Sequence, residues 1–238
     1  VVQRNTGTTV RFWPYAKFFD SDKFSVPQLR HTLKAKAVLC PGLRISFSNE
    51  ATGERDEWFF AGDLGAYLTE ELGKAARLPQ EPITLKREAA QETVEFALCW
   101  APDAEQAVAE SYVNLIPTAD GGTHVNGLRA GVAAAVREFC EIRNLLPRGV
   151  KLAPEDVWDG ARYVLSIKIR EPQFAGQTKE RLASRDAAQL VEGHTKDAVG
   201  LWLVQHPDAG ERIAQFAIEN AQARLKAAQK VQRKRISG

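Results

Sequence analysis

The segment Phe174-Ala175-Gly176-Gln177-Thr178-Lys179 brings together residue types suited to contacting a terminal phosphate. Gly176 lets a backbone approach closely, Gln177 can donate and accept, and Lys179 supplies a compact positive charge. Donors of this kind stabilise the charge that develops in phosphoryl transfer. A solvated loop lysine is the plainer reading of the same residues. Elsewhere the chemistry is sparse. His31, His124, His194 and His206 are the four histidines, and none has a second ligand at metal-binding spacing. His124 follows Gly121-Gly122-Thr123 at a predicted helix start, which favours a capping or packing role. The chain contains no GxSxG, HExxH or P-loop motif. Gly121-Gly122 alone is weak evidence for phosphate binding.

Cys40, Cys99 and Cys140 are widely spaced and odd in number, with no CxxC pair. They are expected as reduced, core-packed thiols of a cytoplasmic protein. The 238 residues, 44% hydrophobic and 26% charged, exclude a disordered tail, a collagen-like chain and a small disulfide scaffold. No apolar run reaches the roughly 20 residues that span a bilayer, and the start does not read as a secretory leader. Methionine is absent and the chain opens Val1-Val2-Gln3, which suggests a piece of something longer.

The net charge of +2 hides an asymmetry. No acid follows Glu219, whereas Arg224, Lys226, Lys230, Arg233, Lys234 and Arg235 do. They form either a solvated helix face or a surface for nucleic acid or another acidic partner. No aromatic residues interleave with them, so a base-stacking platform is not supported.

These groups must be placed by an ordered series of elements. Thr8–Trp13 is β-branched and aromatic and reads as a strand ended by Pro14. Residues 26–38 read as a helix, with Ser25 as cap and Pro27 in the first turn. Leu43–Ser48 alternates as a half-buried strand, and Thr52-Gly53 turns the chain into a second one at 57–60. Asp63 to Ala75 reads as helical. Residues 83–86, 93–100 and 111–117 suggest three strands of an antiparallel set. Residues 123–143 carry a continuous apolar stripe: Val125, Leu128, Val132, Ala135, Val136, Phe139 and Cys140. A short helical turn at 154–158, a strand at 163–169 and two helices, 186–205 and about 208–234, complete the chain. The fold class is α+β: a mostly antiparallel sheet covered by helices, with a long basic helix at the end.

Several blocks resemble one family. Pro172–Leu182 is similar to the Gln-Thr-Lys loop of bacterial type IIA topoisomerase B subunits. Tyr112-Val113-Asn114-Leu115-Ile116-Pro117-Thr118, Gly121–Leu128 and Arg137-Glu138-Phe139-Cys140 resemble the same subunits, as does Thr6–Pro14. Within the family, Leu33–Gly42 and Leu146–Leu152 look like topoisomerase IV rather than gyrase.

The resemblance implies a transducer domain with a ribosomal-protein-S5-domain-2-like fold over residues 15–238. It implies that residues 1–14 are the terminal strand of a GHKL-type ATPase domain, and that a Toprim domain follows. It also implies ATP as ligand, with Mg2+ held by those other domains. Lys179 matches the lysine that reaches the ATP γ-phosphate, the one residue here with a catalytic role. Gln177 matches its neighbouring contact, and Thr8 lies in the strand near the adenine pocket. The implied partners are the A subunit, in a heterotetramer of two A and two B subunits, and DNA, with self-association through the ATPase domain. The piece alone is expected to be inactive. The alternatives are the same module of gyrase and, from another class, a stand-alone nucleic-acid-binding module.

Overall fold

The computed structural model describes residues 6–13, 15–21 and 23–236, with side chains of the last helix described as far as Gln229. Two units emerge, residues 1–60 and 61–238.

In the first unit, α1 (Val26–Leu39) begins at Ser25, whose Oγ accepts from Gln28 N at 3.4 Å, with Pro27 in the first turn. Ser25 thus satisfies one of the donors left open at a helix start. The strands β1 (Arg44–Ser48) and β2 (Arg55–Phe59) form an antiparallel hairpin in the register Ile45↔Trp58. Arg30 of α1 donates through Nε to Asp56 of β2 at 2.7 Å. Residues 6–13 form no strand, contrary to their composition. A strand needs a hydrogen-bonded neighbour, and no described residue supplies one. Phe12 instead makes an edge contact with Phe24, with ring centroids 5.1 Å apart. Pro14 lies outside the described residues.

In the second unit, α2 (Leu64–Leu72) starts at Asp63, whose Oδ1 accepts from Ala66 N at 2.9 Å. It stops at Gly73, at φ +54°, short of the predicted end. Next come β3 (Leu78–Glu88), β4 (Thr93–Trp100), β5 (Ala109–Val113) and β6 (Ile116–Pro117). Then α3 (Thr123–Ile142), α4 (Pro154–Trp158), β7 (Ala161–Lys168), α5 (Arg185–Gln205) and α6 (Pro207–Ile236) follow. The sheet order is β3-β4-β7-β5-β6. All pairings are antiparallel except β5 with β7, which is parallel and reached through α3 and α4.

Two expectations are corrected here. The strand predicted over 111–117 is broken at Asn114 and Leu115, with φ +49° and +67°. Two consecutive positive φ values make the two-residue turn that reverses a strand. The set is also not purely antiparallel, because β5 lies beside β7 in the direction of a crossover.

β4 is an interior strand, buried on both faces. Val94, Phe96, Leu98 and Trp100 share the core with α3, α5 and α6, while Ala97 and Cys99 are buried on the opposite face. Trp100 Nε1 donates to Val157 O at 2.6 Å, so its polar atom is satisfied within the core.

The predicted stripe of α3 is buried except Val125, which is half-buried. The opposing side of α3 meets α5 at two glycines. A Cβ at Gly127 would lie 2.3 Å from Ala188 O, and one at Gly131 2.6 Å from Glu192 O. Both obstacles are backbone, so the helices would have to separate. Gly127→Ala is therefore expected to destabilise by about 2–3 kcal/mol. A Cβ at Gly193, on α5, meets nothing within 4 Å. Gly193→Ala is expected to stabilise by about 0.5–1 kcal/mol, because alanine loses less backbone entropy. Denaturant unfolding of the two variants measures the opposite signs.

Pro207 both ends α5 and opens α6, leaving only His206 between them. The His206 ring stacks on Trp202 at 4.4 Å. Along α6, Ile213, Ala214, Ala217, Ile218 and Ala221 are buried. Phe216 and Leu225 are half-buried and Ala228 is exposed. The apolar seam of the helix thus ends near residue 225.

Candidate functional site

Between β7 and α5 the chain forms a narrow loop closed across its feet. Ala183 N donates to Gln173 O at 2.7 Å, and Ala175 N donates to Arg181 O at 2.9 Å. Gly176, Gln177, Thr178 and Lys179 form its exposed tip. Gly176 has φ +91° and Lys179 φ +59°. Positive φ is unusual for lysine and carries strain of about 1 kcal/mol. The neighbouring Glu180 accepts from Thr178 Oγ1 at 3.1 Å. The Lys179 ammonium has no ion-pair partner among the described residues. A cleft of about 420 Å³ flanks the feet of the loop, with Arg170, Gln173, Ser184 and Leu190 in its wall.

The loop is seated by its far foot on the start of α3. Leu182 is 1% exposed. Its N–H donates to Gly121 O at 3.0 Å and its carbonyl accepts from Thr123 N at 3.1 Å. Asp120 N donates to Glu180 O at 2.9 Å. Gly122 makes this approach possible. A Cβ there would lie 2.3 Å from Leu182 O and 2.5 Å from Leu182 N. The Gly-Gly pair, by itself weak evidence for phosphate binding, therefore seats a loop.

His124 is fully buried beside this seat. The Thr118 hydroxyl donates to Ser111 O at 2.9 Å. Its oxygen lies 3.1 Å from His124 Nε2, while His124 Nδ1 has no hydrogen-bond partner among the described residues. Burial pulls the imidazole down to about 4, so the ring is neutral at physiological pH. The packing role expected for His124 is what the structure contains.

The unfolded chain binds this proton near the ordinary value of 6.5, above the folded value. Stability from a neutral His124 is therefore present at neutral pH and lost as pH falls from 6.5 through about 4. Between about pH 7.5 and 5 the loss is expected to be about 2 kcal/mol. His124→Gln is expected to flatten that part of the curve, and thermal unfolding at the two pH values checks it.

Thr8 sits in the irregular segment of the first unit and is exposed. Cys99 and Cys140 are buried free thiols, pushed up to about 11 mainly by burial. Among the described residues, no cluster of three or more His, Cys, Asp or Glu side chains is placed to hold a metal ion. No described helix is long and apolar enough to cross a membrane.

The late cations divide in use. Arg224 donates to Asp156 through Nε at 2.8 Å and Nη2 at 2.9 Å. Asp156, only 3% exposed, also accepts from Ala153 N at 2.7 Å. Burial alone would push its carboxyl up. The Arg224 hydrogen bonds, the Ala153 N–H and the Arg224 charge outweigh that and hold it below its ordinary value. Arg224 thus anchors α6 to α4. Lys226 is exposed, and the side chains of Lys230, Arg233, Lys234 and Arg235 lie outside the described residues.

Residues 63–233 match the family model described as DNA gyrase B. The whole chain is 60% identical to the B subunit of DNA topoisomerase 4 from Pseudomonas aeruginosa and spans 38% of that protein's length. It is 33% identical to the DNA gyrase B subunit of Haloferax volcanii, over 94% of this chain and 35% of that one. Its fold is similar to a solved structure described as the topoisomerase IV ATP-binding domain of Francisella tularensis in complex with a small-molecule inhibitor. The TM-score is 0.76 at 37% identity, covering 90% of this chain and 58% of the other.

Proposed function

The chain belongs to the DNA gyrase B family, and on that footing we propose that it is the transducer module of a topoisomerase IV B subunit. The full subunit would be a cytoplasmic, ATP-dependent type II topoisomerase working with an A subunit on DNA. In this reading residues 15–238 carry the transducer. Residues 1–14 would become the terminal strand of the ATPase domain once its sheet supplies a hydrogen-bonded neighbour. The more than half exposed Phe12, Trp13, Tyr15, Phe18 and Phe19 fit a surface that a neighbouring sheet would cover.

The observation that carries the mechanism is the loop tip. Lys179 is exposed, held at a strained φ, and free of any described counter-ion. A strained residue on a seated loop is a reason to assign it function. Lys179 and Gln177 have the donors to engage a γ-phosphate. Thr8 is assigned, more distantly, to the adenine side. The remaining nucleotide contacts and Mg2+ belong to the ATPase domain. The nucleotide supplies a triphosphate or a diphosphate end, and only the former presents the group that Lys179 meets. A lysine that binds one state better biases two domain orientations by that difference in affinity. The seat at Gly122 then passes the loop's position to α3, and α5 and α6 carry it onward.

ATP turnover of the full-length protein, with Lys179→Ala and with thermal unfolding in parallel, tests this. Lost turnover with intact folding is expected. Equal turnover contradicts the assignment. Because the matching family model is described as gyrase B, the second reading is the same module of gyrase. Reconstitution with the A subunit separates the two. Decatenation and relaxation without supercoiling is the topoisomerase IV outcome, and introduced negative supercoils the gyrase one.

A further inference from the structure

The loop has a second foot, where it leaves β7, and that foot is held by a side chain. Asn114 N donates to Ile167 O at 2.9 Å, the last backbone bond between the β5 side and β7. The chain then turns away at Asn114, φ +49°, and the ladder would stop there. The carboxamide continues it. Asn114 Nδ2 donates to Ile169 O at 3.0 Å, and Asn114 Oδ1 accepts from Ile169 N at 2.9 Å. This donor–acceptor pair reproduces what the next peptide of β5 would offer. It also fixes which end of the amide is nitrogen, since one partner is an N–H and the other a carbonyl. Ile169 is the residue at which β7 gives way to the loop, and it packs against the core.

The geometry points to Asn114 as a positioning residue for Lys179: its carboxamide acts as a surrogate strand residue that sets the direction in which the loop leaves β7. This rests on the reading of Lys179 given above. A single segment then grips both feet of the loop. Asn114 holds Ile169 at the entrance, and residues 120–123 hold Glu180 and Leu182 at the exit. Between them the two arms are tied by Ala183 N to Gln173 O, Ala175 N to Arg181 O and Gln173 N to Ser184 Oγ, so a shift of the entrance at Ile169 is passed along the paired arms to the exposed tip. Asparagine suits the task twice. It tolerates positive φ, and among short side chains only its amide sets a separate donor atom and acceptor atom side by side, as a peptide does.

Asn114→Asp separates these properties. Aspartate accepts positive φ almost as well, and its carboxylate can still take the Ile169 N–H. It has no hydrogen for Ile169 O and sets a negative oxygen against that carbonyl. Protonating the carboxyl restores a donor. The experiment uses the full-length protein and measures the affinity of a non-hydrolysable ATP analogue relative to ADP. Unmodified protein, Asn114→Asp and Lys179→Ala are compared. A fraction of unfolded protein lowers activity but leaves an affinity ratio unchanged.

The expected result for Asn114→Asp is a roughly 10-fold loss of triphosphate preference at about pH 8. Part of that loss is recovered, relative to unmodified protein, as pH falls toward about 5 and the carboxyl begins to protonate. A preference unchanged in Asn114→Asp but lost in Lys179→Ala overturns the role of Asn114 alone. A preference retained in Lys179→Ala overturns the underlying reading of the loop. Should Asn114→Asp not fold, amide hydrogen exchange in the unmodified protein decides. Protection at Ile169 comparable to Ile167 is expected, and rapid exchange at Ile169 overturns the clamp.

Discussion

Gly122→Ala is expected to destabilise the chain by about 3 kcal/mol, lowering the melting temperature by roughly 6–12 °C, and to cut ATP turnover of the full-length protein. Two independent effects add. Gly122 has φ +131° and ψ −156°, a region open to glycine and costly for any other residue. The added Cβ would also lie 2.3 Å from the carbonyl oxygen of Leu182. That oxygen is backbone, so no rotamer change relieves the contact. Relief requires Leu182 to lift from its burial site, which breaks its bonds to Gly121 and Thr123. Gly176→Ala is the matched control. It also has positive φ, at +91°, but a Cβ there meets nothing within 4 Å. It is expected to cost about 1 kcal/mol and to leave the loop seated. Thermal melting and turnover of both variants would separate strain at a glycine from loss of the seat. Equal effects of the two would remove the seat from the account.

The second large effect is confined to function. Lys179→Ala is expected to lower turnover by about 100-fold, the usual scale for removing one donor aimed at developing charge. Folding should move by less than about 0.5 kcal/mol, because the side chain is exposed and its loss orphans no buried partner. Lys179→Gly sharpens the distinction. At φ +59° glycine relieves backbone strain, so this variant is expected to be as stable as the original or slightly more so, while still inactive. Lys179→Arg is not expected to restore full turnover, since a planar fork places its charge differently from a compact ammonium.

Much of the architecture follows from local pattern. Ser25 and Asp63 are short-range caps with partners three residues away, and both were readable as helix starts. The long stripe of α3 is periodic over about four turns, and the core takes it up almost as spaced. The alternation of β1 gave its half-buried face. What remained hidden depends on residues far apart in the chain. Nothing local marks β5 as parallel to β7, since pairing is decided by the crossover that joins them. The turn at Asn114-Leu115 is obscured because Leu115, with φ +67°, is an unusual residue for it. The partner of Asp156 is Arg224, on the other side of β7 and α5 in sequence, so one of the six late cations belongs to a structural lock. The exposed tip of the Gln177–Lys179 loop was legible from its composition. Its two supports, Leu182 on Gly122 and Asn114 on Ile169, were not, because each is a contact between backbone and a distant segment.

The claim at the centre is that Lys179 distinguishes a triphosphate from a diphosphate. The most direct measurement is a pair of calorimetric titrations of the full-length protein, with a non-hydrolysable ATP analogue and with ADP, repeated on Lys179→Ala. Lys179→Ala is expected to lose affinity for the analogue by about 10- to 100-fold, as expected for one charge-assisted contact. Its affinity for ADP should be nearly unchanged. Equal losses for both nucleotides, or no loss for either, would contradict it.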